Sequence, residues 1–299
     1  MLLYGPNLPR DGRIASPPTI LVRTTPDRNP QMASISTPVA LITAGSAGLG
    51  AAAARLFAQH GYRVVVNYSN NAERANQLLE ELPGLSSLSR DAAAGSGSGS
   101  GSSDGKENFA VIKADLGSRE EINRLVRETV ERFGRLDVLF SNGGWTRVRG
   151  LESLEENCFE EEWDRAFNMN VKSHLWLMHA AKKHLEETEG AFVTTASVAG
   201  VVHSGSSLAY SITKAAQLHL VKALAVMAAP KIRVNSVSPG LLLTQWAERF
   251  TDEQKEAHRQ KTTLKRIVTV EDVAEQVLTF ARSKSTTGVN VVMDAGFIL

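Results

Sequence analysis

The chain has one cysteine, Cys158, in 299 residues, so no internal disulfide can form. A lone thiol fits a reducing compartment, and this one is expected to be a small, partly buried side chain near a helix start. An excess of charge of one sign is also missing, since 33 Lys and Arg face 32 Asp and Glu. A nucleic-acid partner calls for a basic surplus on one face, and that class is set aside. No apolar stretch reaches the ~18 residues of a membrane span before charge or glycine interrupts it. The chain is therefore expected to be soluble, with no membrane association. His174, His179 and His184 are spaced five apart, so successive rings turn by about 140° on a helix and share no face. No metal site follows. Asn67-Tyr68-Ser69 matches the glycosylation triplet, but it falls at the end of an apparent strand without other signs of secretion and is read as coincidence.

What is present divides into a tail and a patterned region. Six of the ten prolines and four arginines lie in the first thirty residues, without hydrophobic periodicity. Residues 1–37 are expected to form a disordered extension. Its arginines leave a mitochondrial address open, but the prolines oppose the amphipathic helix that a transit peptide needs; the expected location is cytoplasmic.

From Val39 onward, short β-branched runs alternate with longer helical ones: VALITAG, AAAARLFAQHG, YRVVVNY, ERANQLLEEL. Strands without polar alternation are covered on both faces, as in a parallel sheet. FAVIKAD, LDVLFSN, GAFVTTAS, IRVNSVSP and GVNVVMDAG bring the candidate strands to seven. The expected fold is α/β, a single doubly wound Rossmann-type domain over residues 38–299 with helices on both faces of the sheet. A Gly/Ser-rich segment near 86–108 interrupts the rhythm; it cannot bury enough apolar area to offset its ordering entropy and reads as a disordered insertion.

Two stretches carry chemistry. ITAGSAGLG joins the first strand to the first helix, and Gly45, Gly48 and Gly50 let the backbone turn sharply and approach a ligand at the helix N-terminus, a ready site for a pyrophosphate. The spacing is G-x-x-G-x-G, not the G-x-G-x-x-G of the usual dinucleotide fingerprint. SLAYSITKAAQ puts Tyr210 one helical turn before Lys214, so both can reach one object, which the spacing leaves open as solvent, a side chain or a reacting molecule.

Thr43-Ala44-Gly45-Ser46-Ala47-Gly48-Leu49-Gly50 resembles the T-G-x-x-x-G-x-G turn of the short-chain dehydrogenase/reductase family, with Ala44 in place of the first glycine. Gly45 is expected to supply the lost flexibility. The other family marks follow in order over 38–299. Asp115 in KADL matches the acid after the third strand. SNGG at Ser141–Gly144 resembles N-N-A-G and keeps Asn142 and Gly144. Asn170 in NMNV and Ser197 in TASVAG match members of the catalytic tetrad completed by Tyr210 and Lys214. SPGLLLT resembles the P-G loop, and VMDAG the closing V-D-G-G.

The resemblance implies an oxidoreductase that transfers hydride between a nicotinamide and a carbonyl or alcohol. Tyr210 would be the general acid/base, its phenol pulled toward the working range by the charge of Lys214. Ser197 would donate to the substrate oxygen, and Asn170 would hold a water linking Lys214 to solvent. The implied cofactor contacts begin with Thr43, Gly45, Ser46, Gly48, Leu49 and Gly50 at the turn. Tyr68, Ser69 and Asn70 follow at the end of the second strand, then Asp115 and Leu116, Asn142 and Gly144, and Pro239, Gly240 and Thr244, with Tyr210 and Lys214 at the nicotinamide ribose. No carboxylate stands in Asn67–Asn71, where NAD-binding sites carry one, so NADP(H) is expected over NAD(H), although the usual arginine is absent there. Trp145, Trp246 and Phe250 are candidates to line a pocket for a small-molecule carbonyl. A homo-oligomer, tetramer or dimer, is implied through the helices that carry Asn170 and Tyr210. Two rivals stand beside the enzyme: an NADP(H)-binding sensor without turnover, and an interaction protein using the tail and insertion.

Overall fold

The computed structural model describes residues 37–88 and 105–299. Apart from Thr37 the expected N-terminal extension lies outside the described residues, and so does the 89–104 part of the insertion expected near 86–108; of its ends, Ser86 is buried and Lys106–Asn108 form a 3-10 turn.

The strands are β1 (Val39–Ile42), β2 (Arg63–Tyr68), β3 (Phe109–Lys113), β4 (Val138–Ser141), β5 (Ala191–Thr195), β6 (Arg233–Pro239) and β7 (Asn290–Met293). They pair in parallel in the order β3-β2-β1-β4-β5-β6-β7. From β1 the chain winds outward to β3 and then crosses back to β4 on the other side. The order therefore reverses between β1 and β4, and such a reversal opens a crevice at the carboxyl ends of the strands.

Strand periodicity sorts the core into two layers. Val39, Leu41, Val65, Leu139, Phe192 and Val234 face one side, packed under helices α3 (Arg119–Phe133), α5 (Ser173–Thr188) and α6 (Leu208–Ala228). Ala40, Ile42, Val64, Val66, Phe140 and Val193 face the other, under α1 (Gly48–Gln59), α2 (Ala72–Leu85) and α8 (Val270–Arg282). Both faces are apolar because both are covered. The remaining helices are α4 (Glu160–Phe167), which runs through a π-helical turn at Asn168–Lys172 into α5, and α7 (Asp252–Lys261).

Several helix starts are set by short polar side chains. Ser118 opens α3 by accepting from the Glu121 amide, and Thr251 and Gln254 form a capping box on α7. Ser207 accepts from the Tyr210 amide at 3.2 Å, which fixes Tyr210 at the third position of α6. Cys158 departs from expectation: it is exposed. The buried place beside it belongs to Asn157, whose amide donates to the carbonyls of Gly150 and Ser153. Among the described residues no helix is long and apolar enough to cross a membrane.

Candidate active site

The glycine turn works differently from the sequence reading. Ala44, not Gly45, takes the left-handed backbone, with φ 47°. Gly45 instead provides space, since a Cβ there would stand 2.8 Å from the Ile42 carbonyl and 3.0 Å from Val66 Cγ1. A Cβ on Gly50 would meet the Ala44 carbonyl at 2.4 Å. Gly48, φ 50°, opens α1, which has no side-chain cap and no acid in its first turn. Its leading N–H groups and positive end are thus left for an anion.

Asn67 holds this turn in place, a role the sequence reading missed. Its side chain is buried, accepts from the Ala44 amide at 3.1 Å and donates to the Ala114 carbonyl at 3.0 Å, while its own carbonyl accepts from Gly45 N at 2.8 Å. A polar residue inside an otherwise β-branched strand was the available signal. Thr43 Oγ1 accepts from Asn142 N at 2.9 Å, and Asn142 Oδ1 accepts from Thr195 Oγ1 at 2.9 Å, so β1, β4 and β5 are tied together at the reversal. A Cβ at Gly143 would lie 2.3 Å from Leu116 Cδ1, the tip of a flexible side chain that would have to turn aside.

Tyr68 ends β2, and Ser69 and Asn70 lead to the start of α2, where Asn71 accepts from the Arg74 amide at 2.9 Å. The Arg74 guanidinium donates to Gln245 Oε1 at 2.5 Å, which brings a cation to a corner where the sequence reading found none. Asp115 Oδ1 accepts from Gly117 N at 2.8 Å and shapes the turn after β3. Pro239 ends β6, and beyond Gly240 the loop folds back until Thr244 Cγ2 lies 2.9 Å from where a Gly48 Cβ would be. The loop of the P-G motif thus lies over the glycine turn.

At the other end of the crevice the four tetrad candidates come together. Asn170 is fully buried in the π-helical turn, a distortion frequent at functional sites. Its Oδ1 accepts from Trp145 N at 2.7 Å, and its Nδ2 donates to the Trp145 carbonyl at 2.9 Å and to Thr213 Oγ1 at 3.0 Å. Gly144 lies beside Asn170 and Lys214, and a Cβ there would make ordinary contacts, 3.4 Å from Asn170 Oδ1 and 3.7 Å from Lys214 Nζ. Ser197 caps a short 3-10 turn after β5 and is hydrogen-bonded to the Tyr210 hydroxyl. Lys214 is 3 % exposed, with Nζ 5.7 Å from the Tyr210 ring centroid, and donates to the Thr195 carbonyl at 2.8 Å.

One electrostatic expectation is corrected. Burial raises the Tyr210 pKa above its ordinary value, and the bond from Ser197 opposes this in part. Burial also lowers Lys214, to about 7. In both groups burial works against the charged form. Trp145 lies under the Arg165 guanidinium, 4.9 Å away, at a cleft of about 310 Å³ lined also by Arg149 and Phe159. Phe250 is half-buried in the loop after β6.

Comparison with known proteins fits this geometry. Residues 38–97 match the family described as short chain dehydrogenase, and residues 100–298 that described as enoyl-(acyl carrier protein) reductase. The chain belongs to the short-chain dehydrogenase/reductase family. A Streptomyces violaceoruber protein assigned as ketoacyl reductase 2 of the granaticin polyketide synthase is 34% identical over 262 residues, 87% of this chain and 95% of its own length. The 3-oxoacyl-[acyl-carrier-protein] reductase FabG of Staphylococcus aureus is 30% identical over 264 residues, 87% of this chain and 98% of its own. Among solved structures, ElxO with NADP bound superposes with a TM-score of 0.73 at 25% identity, covering 88% of this chain and 99% of ElxO. As a short-chain dehydrogenase/reductase, the protein is a nicotinamide-dependent oxidoreductase acting between carbonyl and alcohol. The sensor reading gains nothing from these relatives, which are named for reductase activity.

Proposed function

We propose that this protein is an NADP(H)-preferring reductase of 3-oxoacyl thioesters or closely similar ketones, with Tyr210 as the proton donor. The observation that carries the reading is the convergence of Ser197, Tyr210 and Lys214 beside a phosphate cradle too tight for a Cβ at Gly50. The substrate class comes from the relatives, which are named for acyl-carrier-protein and polyketide ketone reduction.

The residues present fit a dinucleotide. The glycine turn and the uncapped start of α1 would hold its pyrophosphate, Asp115 and Leu116 would border the adenine, and Lys214 would reach the nicotinamide ribose. The dinucleotide supplies hydride when bound. Ser197 donates to the substrate oxygen as charge develops there, and Tyr210 gives that oxygen a proton. Lys214, buried at the rear of the phenol, supplies the charge that stabilises the phenolate left behind, and Asn170 anchors the Trp145 backbone against α6. The preference for the 2′-phosphate rests on the missing acid after β2, which removes a repulsion, and on Arg74, which stands in the first turn of α2.

Residues 38–299 constitute the catalytic domain in this reading, and the extension and insertion are dispensable to turnover. Self-association through α5 and α6 is supported by Val226 and Met227, 79% and 74% exposed on α6. The exposed Cys158 thiol fits a reducing, cytoplasmic setting.

The test is oxidation of NADPH and of NADH at 340 nm with acetoacetyl-N-acetylcysteamine and a ketone panel. Turnover with higher kcat/KM for NADPH supports the whole reading. Equal efficiency with NADH removes the cofactor preference, and turnover of other ketones without any of the thioester removes the substrate class.

A further inference from the structure

Beyond Lys214, four side chains from four elements form one hydrogen-bonded chain: Gln217 on α6, Thr194 on β5, His174 on α5 and Ser141 on β4. None is more than 1% exposed. Donor chemistry fixes its direction at the lysine end. As an ammonium Lys214 Nζ has only hydrogens to offer, so the oxygen of the Gln217 amide faces it, at 2.9 Å. The amide nitrogen must then donate, and it meets Thr194 Oγ1 at 2.5 Å and the Thr195 carbonyl at 3.1 Å. Thr194 Oγ1 is also hydrogen-bonded to His174 Nδ1, 3.2 Å away, and Ser141 Oγ lies 2.6 Å from the same ring nitrogen. Both hydroxyls can donate to Nδ1 or accept from it, according to the tautomer of the ring. Nε2 is buried without a protein partner.

Stability alone does not call for this chain. Apolar residues at 174 and 217 would fill the same space without an orphan polar atom. Its far end meets the one lysine of the tetrad, and Gln217 contributes the side-chain oxygen bonded to that ammonium. The ionisable groups near Lys214 are Tyr210 on its own helix and His174 from α5. The neighbours from β4, β5 and the segment after β4 are Ser141, Thr194, Thr195 and Gly144, none of which ionises.

We propose that Gln217, oriented by the Thr194–His174–Ser141 chain, is a positioning residue that fixes the place of Lys214 Nζ and the ease with which it keeps its proton. The proposal rests on the role given to Lys214 above. A neutral amide oxygen steadies the ammonium without neutralising it, so the lysine stays able to titrate when cofactor and substrate arrive. Burial, which pushes the His174 pKa well below its ordinary value, keeps the imidazole neutral, so the chain brings no second positive charge toward Lys214.

The experiment compares Gln217→Glu, Gln217→Met, Thr194→Val and Thr194→Ser, with Lys214→Met as reference. One readout is the pH profile of kcat with NADPH and acetoacetyl-N-acetylcysteamine; a second, free of turnover, is the pH dependence of the NADPH dissociation constant by nicotinamide fluorescence. A carboxylate at 217 moves the lysine midpoint up by about one pH unit or more, and methionine moves it down, in both readouts. Thr194→Val gives a smaller downward shift, and Thr194→Ser, which keeps the hydroxyl, restores the wild-type midpoint. Wild-type midpoints in Gln217→Glu and Gln217→Met overturn the proposal, as does a Thr194→Ser variant that behaves like Thr194→Val. Should Gln217→Glu fail to fold, Gln217→Met and the Thr194 pair decide alone. Undiminished turnover by Lys214→Met is a separate result, which defeats the catalytic reading of Lys214 itself.

Discussion

The two ends of the crevice make a site by opposite means. At the glycine turn the chain leaves side chains out: Gly45 and Gly50 stand where a Cβ would meet main chain within 2.8 Å, and the groups offered to a ligand are backbone N–H groups at the start of α1. At the tetrad it brings side chains in: Asn170, Lys214, Gln217 and His174 are buried polar groups, most of them held by named partners. The first end tolerates little added volume and the second little lost polarity. The comparison teaches where each will fail, because overpacking and unpaired burial are different costs.

The largest expected effect is at the polar end. Tyr210→Phe keeps the ring and removes the proton donor, so kcat falls about 10²–10⁴-fold while NADPH affinity measured by fluorescence changes little. Equal loss of binding and turnover would mean the ring, not the hydroxyl, is what the site uses. At the packed end, Gly50→Ala places a methyl against the Ala44 carbonyl at 2.4 Å and Gly45 Cα at 2.8 Å. The expected cost is about 1–3 kcal/mol, read as a lower thermal midpoint, with weakened NADPH binding; calorimetry of apo and loaded protein separates the two.

The pH dependence of stability isolates the buried amine. Lys214 has its pKa lowered from the usual lysine value to about 7, so between about 7 and 10.5 the unfolded chain binds the extra proton and the folded one does not. Stability contributed by this site therefore rises with pH across that window. Lys214→Met should lose that slope and melt a few °C higher near pH 7, as checked by thermal scans at several pH values in the absence of cofactor. The smallest effect returns to the turn: Ala44 sits at φ 47°, and Ala44→Gly should stabilise by about 1 kcal/mol in denaturant titrations. A loss of stability would show that Asn67 compensates for the strained residue more fully than the backbone angle suggests.

Much of the architecture was legible in the sequence. The seven strands of VALITAG through GVNVVMDAG are all present, because unbroken β-branched runs mark strands covered on both faces. Asn170, Ser197, Tyr210 and Lys214 were named from short motifs, and they meet at the carboxyl ends of the central strands. What escaped were residues whose role depends on partners far along the chain. Asn67 bonds across 47 residues to Ala114, and Arg74 across 171 to Gln245. Gln217 reads as an ordinary helix residue until β5 brings Thr194 beside it.

By itself, then, the sequence determined the sheet, the helices over it, the glycine turn and the identity of the reactive side chains. These follow from local propensity, periodicity and residue chemistry, which act over a few neighbours. Tertiary structure alone decided that Ala44 rather than Gly45 carries the left-handed turn, that the loop after β6 lies over Gly48, and that burial drives Tyr210 and Lys214 toward their neutral forms. Those outcomes depend on packing and desolvation, which come into being only when distant segments exclude water together.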